Sequence, residues 1–304
     1  MLLPPETPTP ETGGFGFYPG NYALLRGSLL QELRSIARPL KRGDLRGGLR
    51  AVPPAAANTW NHYVGRNGPV RFLCSCCGRP AHSFVHLGDH RGAMWNAACP
   101  GCDARSRHRG LALLIPRVLK GRPDLRRVLH FAPEGVLARI FLSTDGLEYR
   151  TTDLTEPHCD LPGEDIQNLS FADGDYDLVL CNQVLEHVPD DGAGMREVFR
   201  ILSSHGLALI TVPCDWRQAE TETFAHVRPG GHYRHYGCDL AERLRQVFQS
   251  VEVFDMHRLD AAPNGLSYGI PEYDMVFVCS KGGPAGLPGT SESRSWTEGV
   301  DAKD

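Results

Sequence analysis

The run Tyr176-Asp-Leu-Val-Leu-Cys181 constrains this chain more than any other stretch. Val179, Leu180 and Cys181 are consecutive and apolar, with no alternation. A strand of that pattern is covered on both faces, as parallel strands are inside an α/β sheet. Asn182 and Gln183 follow at its carboxyl end, and open sheets of this kind bind ligands just outside those ends. Glu186 and His187 lie a few residues on, Pro189 interrupts the chain, and a helix is expected to begin near Gly194.

The surrounding sequence supplies the partners such a strand needs. Arg127–Phe131, Glu148–Thr152, Leu207–Val212, Val251–Met256 and Tyr273–Cys279 are expected strands. Val136–Leu142, Met195–Leu202 and Leu240–Phe248 are expected helices between them. Alternation of strand and helix predicts a Rossmann-like, doubly wound and mostly parallel sheet. Upstream, Leu25, Leu29, Leu30, Leu33 and Ile36 have the spacing of one helical face over Tyr22–Ile36. Arg42–Asn58, with paired glycines and paired prolines, is expected to be a linker. Ser106–Leu119 is expected to be a helix leaving the cysteine-rich segment and packing on the sheet.

Five of the ten cysteines fall within residues 74–102. Cys74/Cys77 and Cys99/Cys102 are each separated by two residues, and small glycine turns follow or fill the pairs. Two such pairs aim four thiolates at one ion, so a small zinc ribbon with a structural Zn2+ is expected. His82, His86 and His90 are weaker substitutes as ligands. The domain boundaries expected are 1–58 (tail, helix and linker), 59–110 (ribbon), 111–280 (the α/β domain) and 281–304 (a disordered tail).

Charge is divided unevenly. Residues 1–130 carry 19 Lys and Arg against 7 Asp and Glu, a balance of +12, while the whole chain stands at −4. That basic half suits either an anionic partner or the acidic half of the same chain. No apolar run reaches the length of a membrane helix, and the first residues lack the pattern of a secretory signal. No membrane association and a cytoplasmic location are therefore expected.

The segment Leu169-Ser-Phe-Ala-Asp-Gly-Asp-Tyr-Asp-Leu-Val-Leu-Cys-Asn-Gln-Val-Leu-Glu-His-Val188 resembles class I S-adenosylmethionine-dependent methyltransferases. Met195–Leu202 and Gly206–Pro213 match the helix and strand that follow in that family, and the resemblance covers about residues 125–280. The cysteine pairs ahead of the domain, and Val128-Leu-His-Phe-Ala-Pro-Glu134 in place of a glycine-rich first turn, are similar to one subgroup. The resemblance implies S-adenosylmethionine as cofactor. It places Phe131, Ala132, Glu134 and Gly135 at the first turn, with Glu134 taking the ammonium that the family's usual acid would hold. Asp153, at the end of the second strand and followed by Leu154, is where a carboxylate accepts from ribose hydroxyls. Asp165 and Ile166 would flank the adenine, and Asn182 and Gln183 the methionine portion.

Methyl transfer to a hydroxyl gains from a base near neutral pKa, most often histidine. Gly231-His-Tyr-Arg-His-Tyr-Gly237 follows the fifth strand and resembles the subgroup's His-x-Arg-x-Tyr-Gly. His232 is the expected base or acceptor contact, and His187 is expected to order the site. Arg234 would orient an anionic group, with Tyr236 and Trp216 lining the pocket. A small molecule, such as a sugar or natural-product hydroxyl, is the expected acceptor. RNA is a less favoured one, and a non-catalytic interaction protein is the third alternative.

Overall fold

The computed structural model describes residues 29–41, 43–63, 68–89, 92–228 and 230–285. Two helices come first, α1 (Leu29–Lys41) and α2 (Leu45–Tyr63). Two small antiparallel hairpins follow, β1 (Phe72–Leu73) with β2 (Pro80–Ala81) and β3 (Val85–Asp89) with β4 (Gly92–Ala98). Helix α3 (Ser106–Gly121) leads into β5 (Arg127–Phe131), α4 (Gly135–Leu142), β6 (Glu148–Asp153), β7 (Leu161–Pro162), β8 (Tyr176–Asn182), α5 (Asp191–Ile201) and β9 (Leu202–Thr211). A hairpin of β10 (Glu222–Arg228) and β11 (His232–His235), then α6 (Leu240–Arg245), β12 (Ser250–Asp255) and β13 (Met275–Ser280), complete the order.

Seven strands form one sheet in the order β12-β13-β9-β8-β5-β6-β7. Strands β5 to β9 run parallel, and β13 is antiparallel to both of its neighbours. The chain winds outward from β5 through β6 to β7, then returns to β8 and continues through β9. The switch point therefore lies between β5 and β8, and ligands of open sheets bind at the carboxyl ends there. All seven residues of β8 are buried. Val179 and Cys181 pack with α5 and α6 on one face, Leu178 and Leu180 with α3 and α4 on the other. Each such side chain contributes roughly 1.5–3 kcal/mol by leaving water, which is why this unalternating run sits at the centre.

Several expectations are corrected. The expected linker at 42–58 is mostly the helix α2, which runs on to Tyr63 and crosses the boundary placed at residue 58. Ala51, Pro54, Ala55 and Asn58 are buried at helical spacing, and packing overrides the interior prolines Pro53 and Pro54. Asn58 fixes the helix by donating to Glu32 Oε2 at 3.3 Å and to the His86 carbonyl at 2.7 Å. The first helix runs to Lys41 rather than Ile36, and Leu33 on its expected buried face is exposed while Glu32 is buried. Residues 22–28 of that expectation, His90, and most of the expected tail (286–304) lie outside the described residues. Strand β9 begins at Leu202, where a helix end was expected; its pairing with β8 shifts register between Tyr176 and Leu178, which absorbs Ser203–Gly206. Helix α6 stops at Arg245, short of Phe248.

Arg109 docks the cysteine-rich region on the sheet domain. Its guanidinium is fully buried. It donates to the carbonyls of Asn96 (2.9 Å) and Ala104 (2.7 Å) on one side, and of Tyr268 and Gly269 (both 2.7 Å) on the other. It also lies 4.2 Å from the centre of the Phe84 ring, so cation–π attraction adds to the hydrogen bonds.

Candidate active site and cysteine cluster

The carboxyl ends of β5, β6 and β8 supply the side chains at the switch point. After Phe131 the chain makes a left-handed step at Ala132 (φ 46°), held by its N–H bond to the Thr152 carbonyl at 2.9 Å. A glycine would take that conformation without strain. The neighbouring strand thus holds the step that the family resemblance would assign to glycine. Glu134 then occupies the N-cap position of α4 ahead of Gly135, with its side chain turned away from the helix N–H groups, where the helix dipole still favours an anion.

Glu134 is the most connected group of the site. His130 Nε2 donates to its Oε2 at 3.0 Å, and Tyr149 O–H completes the other ring nitrogen at 2.9 Å. Burial raises the Tyr149 pKa, so the phenol stays protonated as the donor, and His130 carries its proton on Nε2. Asn182 Nδ2 donates to Glu134 Oε1, and Thr211 Oγ1 to Asn182 Oδ1. His108, from the first turn of α3, brings Nε2 to 3.4 Å from Glu134 Oε1. Burial pushes the Glu134 pKa up, but the contacts with His108 and His130 outweigh it and hold the carboxyl down at about 2. Burial keeps His108 below its ordinary pKa. A carboxylate offers roughly four lone-pair sites, so three neighbours leave room for a further cation, and the side chain keeps 21% of its exposure.

Asp153 ends β6. Among the described residues its side-chain hydrogen bonds all use Oδ1, which accepts from the Thr155 and Glu156 backbone N–H groups at 2.7 and 2.8 Å and from Thr155 Oγ1 at 3.2 Å. Oδ2 is left for another donor pair. Leu154 is exposed. Asp165 accepts from Gln167 in a tight turn, and Ile166 is buried in the core cluster beside β8. Gln183 sits at φ 57° with its N–H on the Thr211 carbonyl. The structure therefore brings Phe131, Ala132, Glu134, Gly135, Asn182 and Gln183 together at two adjacent strand ends, with Asp153 on the next strand. The Asn182 amide is engaged by Glu134 and Thr211, so it orders the carboxylate from behind instead of lying open.

Beyond β8, a 3-10 turn at Leu185–His187 meets β11. The rings of His187 and His232 cross at 79° with centroids 4.7 Å apart, and those of His232 and His235 are 5.9 Å apart. Arg234, expected to orient an anionic group, is held by the chain itself. It is buried, and its guanidinium donates to the carbonyls of Leu185, Val188 and Pro189 at 2.6–2.8 Å. Tyr236 is likewise buried, with its O–H on Asp191 Oδ2 at 2.9 Å. Arg234 thus ties β11 to the turn that presents His187, and Tyr236 ties the end of β11 to the first residue of α5. Trp216 is half-buried and donates to the Tyr273 carbonyl at 2.8 Å. Sequence reasoning missed His108, His130 and Thr211. His130 stands four residues before Glu134, the one signal that could have found it.

The four cysteines converge. Cys74 Sγ lies 3.7 Å from Cys102 Sγ, and Cys77 Sγ 3.8 Å from Cys99 Sγ. A tetrahedron with metal–sulfur bonds near 2.3 Å has edges of about 3.8 Å, so the spacing suits one ion. Each knuckle is closed by its backbone, Gly78 N–H to the Cys74 carbonyl and Asp103 N–H to the Cys99 carbonyl, and the Gly101 N–H reaches Cys99 Sγ at 3.3 Å. Cys76 stands outside the group of four. His86 is engaged by Asn96 and Asn61 rather than by the cysteines.

Residues 135–210 match a family model described as a methyltransferase domain. No curated protein matches the chain. Among solved structures, the [4+2]-cyclase SpnF is 16% identical, with 56% of this chain and 82% of that chain covered and a TM-score of 0.41. The 1,6-didemethyltoxoflavin-N1-methyltransferase of Burkholderia thailandensis is 19% identical, with 59% and 84% covered and a TM-score of 0.39. Among the described residues no helix is long and apolar enough to cross a membrane.

Proposed function

We propose that this chain is an S-adenosylmethionine-dependent methyltransferase that methylates a hydroxyl of a small molecule, with a Zn2+ ion held by Cys74, Cys77, Cys99 and Cys102 as a structural support; the match of residues 135–210 to a methyltransferase domain supports the reading. When bound, the cofactor supplies an electrophilic methyl on a sulfonium. Glu134, kept ionised, takes the amino-acid ammonium. Asp153 Oδ2 accepts from the ribose hydroxyls, and Asp165, Ile166 and Leu154 border the adenine. Phe131, Ala132, Gly135, Asn182 and Gln183 shape the floor between them. The four-thiolate site is closed, so it supports folding rather than chemistry.

The observation that carries the acceptor reading is the crossing of His187 and His232, where the turn after β8 meets β11. Two imidazoles placed there suit the activation of a weakly acidic O–H. The enzyme holds the acceptor oxygen close to and in line with the methyl carbon, and that alignment supplies much of the rate. The test is calorimetric titration of zinc-loaded protein with S-adenosylmethionine, followed by a screen of small hydroxylated acceptors for release of S-adenosylhomocysteine. Saturable binding and turnover support the reading. Turnover only on RNA, with affinity falling steeply as salt rises, would replace the acceptor class. Folded protein that binds no cofactor would leave an interaction protein.

A further inference from the structure

Glu186, His187 and His232 bring one carboxylate oxygen and two imidazole nitrogens within 4.8 Å of one another. None of the three belongs to the cysteine cluster or to the cofactor cradle. We propose that they hold a first-row divalent metal ion at the acceptor side of the cleft, and that this ion, resting on the methyltransferase reading above, activates a hydroxyl acceptor that ligates it.

The argument begins with the protons. His187 Nδ1 lies 3.2 Å from the Gly231 carbonyl oxygen, which can only accept, so Nδ1 carries the hydrogen. In the neutral ring Nε2 is then a lone pair. That lone pair faces Glu186 Oε1, another acceptor, at 3.7 Å. The separation is too long for a hydrogen bond, and a cation placed between the two acceptors would be attracted to both. A proton on Nε2 is one candidate. The third donor, on His232, favours an ion with several coordination positions. Imidazole hydrogen-bonded through its far nitrogen to a carbonyl is also how proteins orient a metal-ligating histidine.

The local fold is built for this approach. Gly231 takes φ 84°, and a Cβ there would come within 3.1 Å of His187 Nδ1. Glycine thus lets the β10–β11 turn close on the ring. Arg234 fastens the segment that carries Glu186 and His187 to β11 from behind. Glu186 is 1% exposed, and its charge, after burial itself, helps push up the pKa of Cys181 at the end of β8. That places the carboxylate beside the cofactor's strand ends. His187, on the solvent side, is 41% exposed. Around an ion about 2.0–2.2 Å from each donor, the three donors sit roughly 3–3.5 Å apart, which small rotations of the two imidazoles reach from here.

Two nitrogens and one carboxylate suit a first-row divalent ion and leave coordination positions open. An acceptor hydroxyl bound there loses its proton to water more readily, because the ion lowers its pKa. Its oxygen lone pair then forms the bond to the methyl carbon. The carbon–sulfur bond breaks with its electron pair remaining on sulfur, giving the neutral thioether. His232 is on this account a ligand and not the base.

The test is titration of full-length, zinc-loaded protein with Mn2+, followed by electron paramagnetic resonance of free and bound ion. One Mn2+ per chain is expected. His187→Asn and His232→Asn are expected to weaken it at least tenfold with the cysteine-bound zinc retained. Mn2+ is expected to raise the melting temperature of the parent and not of the variants. Glu186→Gln is buried and is read only if its unfolding remains cooperative; the exposed His187→Asn carries the test otherwise. Parent protein that binds Mn2+ no better than the His187→Asn/His232→Asn double variant overturns the site. Full turnover after removal of all metal but the thiolate-bound zinc also overturns it and leaves the methyltransferase reading intact. Mn2+ bound by a protein that binds no S-adenosylmethionine would uphold the site and sink that reading.

Discussion

His130 Nε2 stands 3.0 Å from Glu134 Oε2, so β5 supplies the ring that aims the carboxylate at the head of α4. Glu134→Gln keeps the shape and removes the charge. A hydrogen bond to a charged group is worth about 1.5–3 kcal/mol, so affinity for S-adenosylmethionine should fall at least tenfold by calorimetry. An unchanged affinity would mean that the ammonium is held elsewhere. Asp153→Ala should lose a comparable amount with little change in melting temperature.

The same carboxyl gives a pH signature. Its folded pKa is near 2 against an ordinary 4.5. The ionised form is therefore favoured by folding, and the contribution is complete above 4.5 and lost as pH falls from there toward 2. The full contribution is on the order of 3 kcal/mol. Urea unfolding of the parent should weaken over that window more steeply than that of Glu134→Gln. Parallel profiles would show that His130 and His108 do not act on this group.

Chelation should disclose the cysteine cluster. The purified chain is expected to carry one zinc per molecule that resists mild chelators, and Cys99→Ser should lose it. Because Arg109 joins the ribbon to the Tyr268–Gly269 segment, the loss should lower the melting temperature of the whole protein and not only of the ribbon. Zinc content measured by atomic emission beside a thermal scan checks both.

Arg234→Ala should act on stability. Removing a buried guanidinium leaves the carbonyls of Leu185, Val188 and Pro189 unpaired, at a cost of about 3–5 kcal/mol for breaking such a buried charge network. The expected result is a large drop in melting temperature, with Arg234→Lys recovering little of it. A stable Arg234→Ala protein with only a raised acceptor KM would restore the role that the sequence suggests.

The sequence exposed whatever was local. The run at β8, the double cysteine pairs and the acid ending β6 are each visible in a few consecutive residues. The two-residue β7 has no pattern to show, and it exists because Thr152 and Asp153 of β6 pair with it. The hairpin β10–β11 escaped because β10 is almost wholly exposed and lacks alternation. Helix α2 is masked in the sequence by Pro53 and Pro54, whose helix-breaking tendency opposes the helical spacing of Ala51, Ala55 and Asn58. Arg234 and Tyr236 carry functional-looking side chains, but their partners are backbone carbonyls and Asp191, some 45 residues away. Only folding discloses such partners.

The rims of the seven-stranded sheet are unequal to the centre. On one side the last strand is Leu161–Pro162, and proline has no N–H to offer a neighbour. On the other side β12 spaces Glu252 and Asp255 along its length, and Glu252 Oε1 is occupied by the Ala285 N–H of the returning chain. An incoming strand from another molecule would find at one rim almost nothing to pair with, and at the other a charged and partly covered border. A sheet whose middle is as apolar as β8 can thus remain a single molecule's sheet, because its growth is stopped at both borders.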